Sequence, residues 1–242
     1  AKIINIYRNI PAQLAKENKK FQFSKLSSSA RAREYQGCID WLYDAGVISI
    51  CYCLAFPELP LKGNYDSSKF KLYYPDTGLL VSCLDEEAQD DLRANKNLGV
   101  YKGALYENFI AESFRKQGLD LFYFKKENST IEEDFFIRSK NELIPVEVKS
   151  NTKGSRSLSA LINSKTYSDI HHGIKLSAGS AAPMRNDSRA CRRCRHCINL
   201  FKPGVIICIR LAVLLMADLT FRFVSACRRT ALVTVCAYHR SG

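Results

Sequence analysis

No G-x-x-x-x-G-K-[ST] string occurs anywhere in the 242 residues. The backbone cradle and lysine that hold nucleotide phosphates are therefore missing, and this chain alone is not expected to bind ATP. Long apolar runs are nearly as scarce. The one candidate, Val205 to Met216, is interrupted by Arg210 and followed closely by Asp218. Crossing a hydrocarbon core about 30 Å thick takes about 20 apolar residues, so no transmembrane helix is expected. No secretory signal peptide opens the chain, which argues against a disulfide framework despite ten cysteines, and a cytoplasmic setting is expected. Cys38, Cys51, Cys53 and Cys83 lie in apolar or strand-like surroundings and read as small buried hydrophobes.

The formal charge of +12 invites a nucleic-acid partner, but its distribution weakens that reading. Residues 1–177 hold 25 Lys and Arg against 22 Asp and Glu, whereas the remaining 65 hold 11 against 2. The body is nearly neutral, so any phosphate contact must come from a local patch. It is also long enough for a sizeable core.

Acidic residues are grouped more tellingly than basic ones. Asp134 and the run Glu147, Val148, Lys149 flank a turn signal at Ser139, Lys140, Asn141 and Glu142, so an in-register hairpin sets Asp134 opposite Glu147. Phe135, Ile137, Ile144, Val146 and Val148 then fall on the other face, as a period of two requires. Two acids about 5 Å apart repel unless a proton or cation lies between them. Oxygen ligands suit Mg²⁺, and Lys149 on the same face could orient water or steady a developing negative charge. An ordinary reading stands beside this one. Glu132 falls opposite Lys149 in the same register, and a solvated strip of cross-strand ion pairs would contribute a few tenths of a kcal/mol each.

A third acid lies upstream. Tyr101 to Gln117 reads as an amphipathic helix stopped by Gly118, with Gly103, Glu107, Ile110, Ala111 and Phe114 at helical spacing. Glu107 is thereby expected on the inward face, where a carboxylate needs a partner or a metal. Leu121 to Phe124 adds a short aromatic strand, giving the order helix, strand, strand, strand.

Earlier residues predict a helical module followed by a hairpin. Ile3, Tyr7 and Ile10 mark one helix, Pro11 can open a second, and Tyr35, Cys38, Ile39 and Leu42 mark a third that ends at Gly46. Strand-like runs follow at Val47 to Leu54 and Lys69 to Tyr74. Helices before a hairpin are winged-helix-like, and Arg31, Arg33, Lys69 and Lys71 are the candidates for phosphate contact. The competing reading is a packing module for another domain, since the third helix carries few base-reading side chains.

Residues 101–150, YKGALYENFIAESFRKQGLDLFYFKKENSTIEEDFFIRSKNELIPVEVKS, resemble the C-terminal domain of unknown function of a large family of prokaryotic AAA+-type ATP-binding proteins, a domain similar to the PD-(D/E)xK nuclease superfamily. The segments IPAQLAKENKKFQFSKL, ARAREYQGCIDWLYDAGVI and KLYYPDTGLL resemble the same proteins just after their ATPase core, so the likeness runs from residue 1 to about Ser177. By this resemblance Glu107 is the helix acid, Asp134 the strand acid and Glu147 with Lys149 the ExK pair, with Mg²⁺ as the implied metal on Glu107, Asp134 and Glu147. The implied fold is α+β: a winged-helix-like module over residues 1–98, then a restriction-endonuclease-like domain with a mixed sheet over 99–177. DNA and an ATPase module of the parent protein are the implied partners, and the chain is expected to be the C-terminal part of that protein.

Residues 178–242 read differently. Ten of the eleven basic residues there are arginine, against 7 of 25 before Ala178, and six of the ten cysteines crowd into it. A disordered or frameshifted tail without selected function is expected. The sharper alternative is a metal site at Cys191, Cys194, His196 and Cys197, which lacks a second ligand pair at matching spacing. Three functions follow from the whole reading: an Mg²⁺-dependent phosphodiesterase, a catalytically silent domain that binds DNA or a partner, and a decayed gene fragment.

Overall fold

The computed structural model describes residues 1–94, 96, 99–139, 141–149 and 155–177, together with the backbone of 234–239. Within them the chain is α+β, as expected. Six strands form a mixed sheet in the order β2-β1-β3-β4-β5-β6, and Thr234–His239 (β7) pairs antiparallel with β6 at its edge. The strands are β1 (Ser49–Leu54), β2 (Tyr65–Tyr73), β3 (Leu121–Lys125), β4 (Glu132–Ser139), β5 (Glu142–Lys149) and β6 (His172–Ser177). Parallel contacts join β1 to β3 and β5 to β6; the other pairs are antiparallel.

The helices are α1 (Lys2–Leu14), α2 (Ala32–Asp44), α3 (Thr77–Ser82), α4 (Glu86–Arg93), α5 (Val100–Lys116) and α6 (Arg156–Ile162). Pro11 does not open a second helix. It lies inside α1, where its ring nitrogen cannot donate to the carbonyl of Tyr7 one turn back. That carbonyl accepts instead from the Tyr74 hydroxyl at 2.7 Å, so the break that Pro11 predicted is avoided by a side chain 67 residues away. The glycine stops do hold. Gly46 and Gly118 have φ of 69° and 73°, and each closes its helix with two reverse hydrogen bonds: Gly46 N–H to Tyr43 and Val47 N–H to Leu42, then Gly118 N–H to Arg115 and Leu119 N–H to Phe114.

The sheet has a core on each face. On one, Ile6 and Ile10 of α1, Ile39 and Leu42 of α2 and Ile110 and Phe114 of α5 pack with Tyr73, Phe135, Val146 and Val148. On the other, Leu158, Leu161 and Ile162 of α6 cover Phe124, Phe136 and Leu143. Gly173 of β6 lets α6 approach closely, because a Cβ there would lie 2.5 Å from Leu158 Cδ1 and 2.9 Å from Ile162 Cδ1.

The expected boundary near residue 98 does not separate two cores. The β1–β2 hairpin is no free-standing wing: β1 pairs in parallel with β3, and one apolar cluster runs from Ile6 to Leu176. A hairpin with an apolar face gains more by joining a sheet than by projecting into water. The cysteine reading holds for buried Cys51 and Cys53, whereas Cys38 is half-buried and Cys83 exposed; all four are free thiols. No helix among the described residues is long and apolar enough to cross a membrane. Apart from the backbone of 234–239, the tail with its Cys191, Cys194, His196 and Cys197 lies outside the described residues.

Candidate functional site

Helix α5 brings the first acid inward. Its apolar stripe of Ala104, Ile110, Ala111 and Phe114 carries Glu107 to 0 % exposure. Three donors meet that carboxylate: Lys71 Nζ at 3.1 Å and the Tyr73 hydroxyl on Oε1, and Lys19 Nζ on Oε2. Lys71 and Tyr73 are alternate residues of β2 and so share its α5 face, while Lys19 arrives from the loop after α1. Burial by itself would raise the Glu107 pKa, but the two ammonium groups and the hydrogen bonds from Lys19 and Tyr73 outweigh it and hold it at about 2.

Asp134 is aimed by a bulge. Across β3 and β4, Phe122 faces Phe136 but Phe124 faces Glu133, so β4 carries one extra residue between them. A bulge breaks strict alternation. Asp134 therefore meets Lys71 on the α5 side, with Oδ1 at 3.9 Å from Nζ, while Phe135 beside it also packs in the α5-side core. Its Oδ2 accepts the Val148 N–H at 2.8 Å, tying β4 to β5. Burial and the negative charge of Glu107 push its pKa up to about 6, against the pull of Lys71, Lys19 and Lys149.

The hairpin register is the expected one. Phe135 pairs with Val146 and Ser139 with Glu142, but the bulge turns Asp134 to the α5 side whereas Glu147 lies between Val146 and Val148, which both pack on that side. The expected sharing of one face by the two acids is therefore not kept. The two acids reach different neighbours. Glu147, 4 % exposed, has Oε1 3.5 Å from Lys149 Nζ, while its Oε2 makes no hydrogen bond. Lys149 keeps about half of its side chain exposed. Burial acts to lower the Lys149 pKa, but Asp134 and Glu147 raise it above the ordinary value, so it is a fixed cation and not a base.

Several important residues had no signal in the sequence pattern. Lys71, expected on a wing, is 0 % exposed and cannot reach a phosphate; its ammonium lies among Glu107, Asp134 and, at 3.6 Å, Glu132. Lys69 is paired with Glu127 at 2.7 Å and Asp66 at 3.4 Å, which leaves exposed Arg31 and Arg33 as the remaining members of the expected basic set. Glu132 does not pair with Lys149 but with Lys125, at 2.9 Å. Glu133 is fully buried beside the Ser157 hydroxyl, and burial, reinforced by Glu147 and Asp134, outweighs the pull of Ser157 and Lys149 and drives its pKa well up. Asn108 and Glu112, further along α5, pin the Tyr74–Thr77 loop by bonds to Tyr74 N–H, Tyr74 C=O and Thr77.

Among the described residues, no three His, Cys, Asp or Glu side chains converge as a metal-binding group. Glu107 is already committed to two lysines and a tyrosine. The buried oxygen free to meet a hard cation is Oε2 of Glu147, which makes no hydrogen bond.

Comparison with known proteins yields two family matches. Residues 1–90 match DUF8612, a domain of unknown function. No curated protein and no solved structure matches the chain. Residues 102–197 match DUF4143, a domain of unknown function associated with C-terminal regions of AAA-type ATPases.

Proposed function

We propose that this chain is a nuclease-like region of an AAA+-type ATP-binding protein that binds and processes nucleic acid through Asp134, Glu147 and Lys149. The observation that carries the reading is a buried Glu147 with one oxygen free of hydrogen bonds and the other 3.5 Å from Lys149 Nζ, on the strand whose Val148 N–H donates to Asp134. Asp134 and Glu147 would hold Mg²⁺, which supplies Lewis-acid polarisation of a phosphate and a more acidic water. Lys149, kept protonated by its neighbours, stabilises negative charge developing on the phosphodiester instead of abstracting a proton. Glu107 acts one step back as a positioning residue: it fixes Lys71, and Lys71 approaches Asp134. The resemblance over residues 1–177 supports the same assignment and supplies DNA as the expected substrate.

A second reading has its own observation. Lys71 already places a positive charge beside Asp134, which would repel a divalent ion and favour a catalytically silent domain that binds DNA or the ATPase. Nicking of supercoiled plasmid in Mg²⁺ separates the two. Wild type should nick, and Asp134→Asn, Glu147→Gln and Lys149→Met should each slow it by about a hundredfold or more. Variants that cut at the wild-type rate would remove the catalytic reading. A wild type that binds DNA in a strongly salt-dependent manner without cutting would establish the silent one.

A further inference from the structure

Lys71 is the least expected group in the fold. A fully buried ammonium on β2 faces Glu107 from α5, Glu132 and Asp134 from β4, Cys51 from β1 and the Tyr123 ring from β3, whose centroid is 4.7 Å from Nζ. Burial would strip its charge, yet the surrounding carboxylates outweigh that and hold it protonated. Three acids thus surround one tethered cation, and a second, Lys19, closes on the far oxygen of Glu107. Both lysines come from the segment that matches one family, whereas all three acids come from the segment that matches the other.

We propose that Lys71 is a built-in counter-ion: its ammonium stands where a free cation would otherwise sit among Glu107, Glu132 and Asp134, so the N-terminal segment sets how much negative charge this centre offers to a divalent ion. The inference rests on the cluster alone and stands whether or not the protein cuts nucleic acid. Removing a buried positive charge leaves its partners uncompensated in a low-dielectric interior, and an ion of the right charge then replaces it. A divalent ion suits the vacated place, since carboxylate oxygens are its preferred ligands.

The test is thermal unfolding of the full chain, with and without millimolar Mg²⁺ or Ca²⁺ at matched ionic strength. Lys71→Met should lose about 10 °C in metal-free buffer. It should regain most of that loss with either ion, by a larger shift than wild type shows. Lys71→Met combined with Glu107→Gln removes one charge of each sign, and should unfold near wild type with no extra response to the ions. A Lys71→Met protein that is as stable as wild type, or that ignores divalent ions, overturns the proposal. If the single variant does not fold, the charge-balanced double variant decides: folding supports a counter-ion, and failure to fold means Lys71 is required for packing alone. A wild type that does not nick plasmid, together with ion rescue of Lys71→Met, would count against the phosphodiesterase reading and leave this one standing.

Discussion

Asp134 carries its negative charge at a cost. Its folded pKa of about 6 lies above the usual unfolded value of about 3.9, so the native state binds that proton more tightly than the unfolded chain does. Its contribution is therefore most favourable below about pH 4 and is lost as pH rises through about 6. Glu107 has the opposite sign. With its pKa held at about 2, its stabilisation is present above about pH 4.3 and is lost as pH falls toward 2. Asp134→Asn mimics the neutral acid, so in metal-free buffer it should gain about 3 kcal/mol over wild type at pH 7.5 and nothing at pH 4. Urea unfolding at the two pH values checks this, and equal effects at both would show that the charge is not what costs stability. The same substitution should slow nicking by about a hundredfold or more, because a neutral amide oxygen holds Mg²⁺ less strongly than a charged carboxylate.

Packing of α6 on the sheet is set by the absence of one side chain. Gly173 leaves room for Leu158 and Ile162, and the clash that a Cβ would create is with side-chain ends that can turn aside only at the expense of their own packing. Gly173→Ala should therefore cost about 1–3 kcal/mol in urea unfolding. Paired with Leu158→Val, which trims the clashing atom, it should cost less than the sum of the two changes. Simple additivity would place the strain elsewhere. Much at this scale was legible beforehand. The α5 stripe, its Gly118 stop and the succession of β3, β4 and β5 follow from local periodicity and turn chemistry, because each depends on residues only a few positions apart. Pro11 was misleading for the complementary reason, since the hydroxyl that occupies the freed carbonyl belongs to Tyr74.

Across the whole molecule, the two family-matched segments build one sheet and one ionic centre. Residues 99–177 expressed alone would expose the β3 edge that β1 covers and would strand Glu107 without Lys19, Lys71 or Tyr73. Circular dichroism should show no cooperative unfolding for that piece, while residues 1–177 unfold in a single transition. A cooperative melt from 99–177 would mean that the β1–β3 seam and the lysines are dispensable. The near-balance of charge over residues 1–177 means that, if the proposed nucleic-acid binding is made by this part of the chain, it must rest on a local surface such as that around Lys149 and exposed Arg31 and Arg33.

Local order along the chain was enough to show an inward Glu107, the β4–β5 hairpin and Lys149 beside Glu147, because helical and strand periods are properties of neighbouring residues. Where those groups find their charges was decided elsewhere. Lys71 and Lys19 lie 36 and 88 residues from Glu107, and the bulge that turns Asp134 toward them is a mismatch between two strands, visible only once both are paired. A period in one strand says which face a side chain takes, but electrostatics in a buried centre depends on what folds against that face. Lys71 reaches Glu107, Glu132 and Asp134 because the helix that buries Glu107 also packs on the strand that carries Lys71.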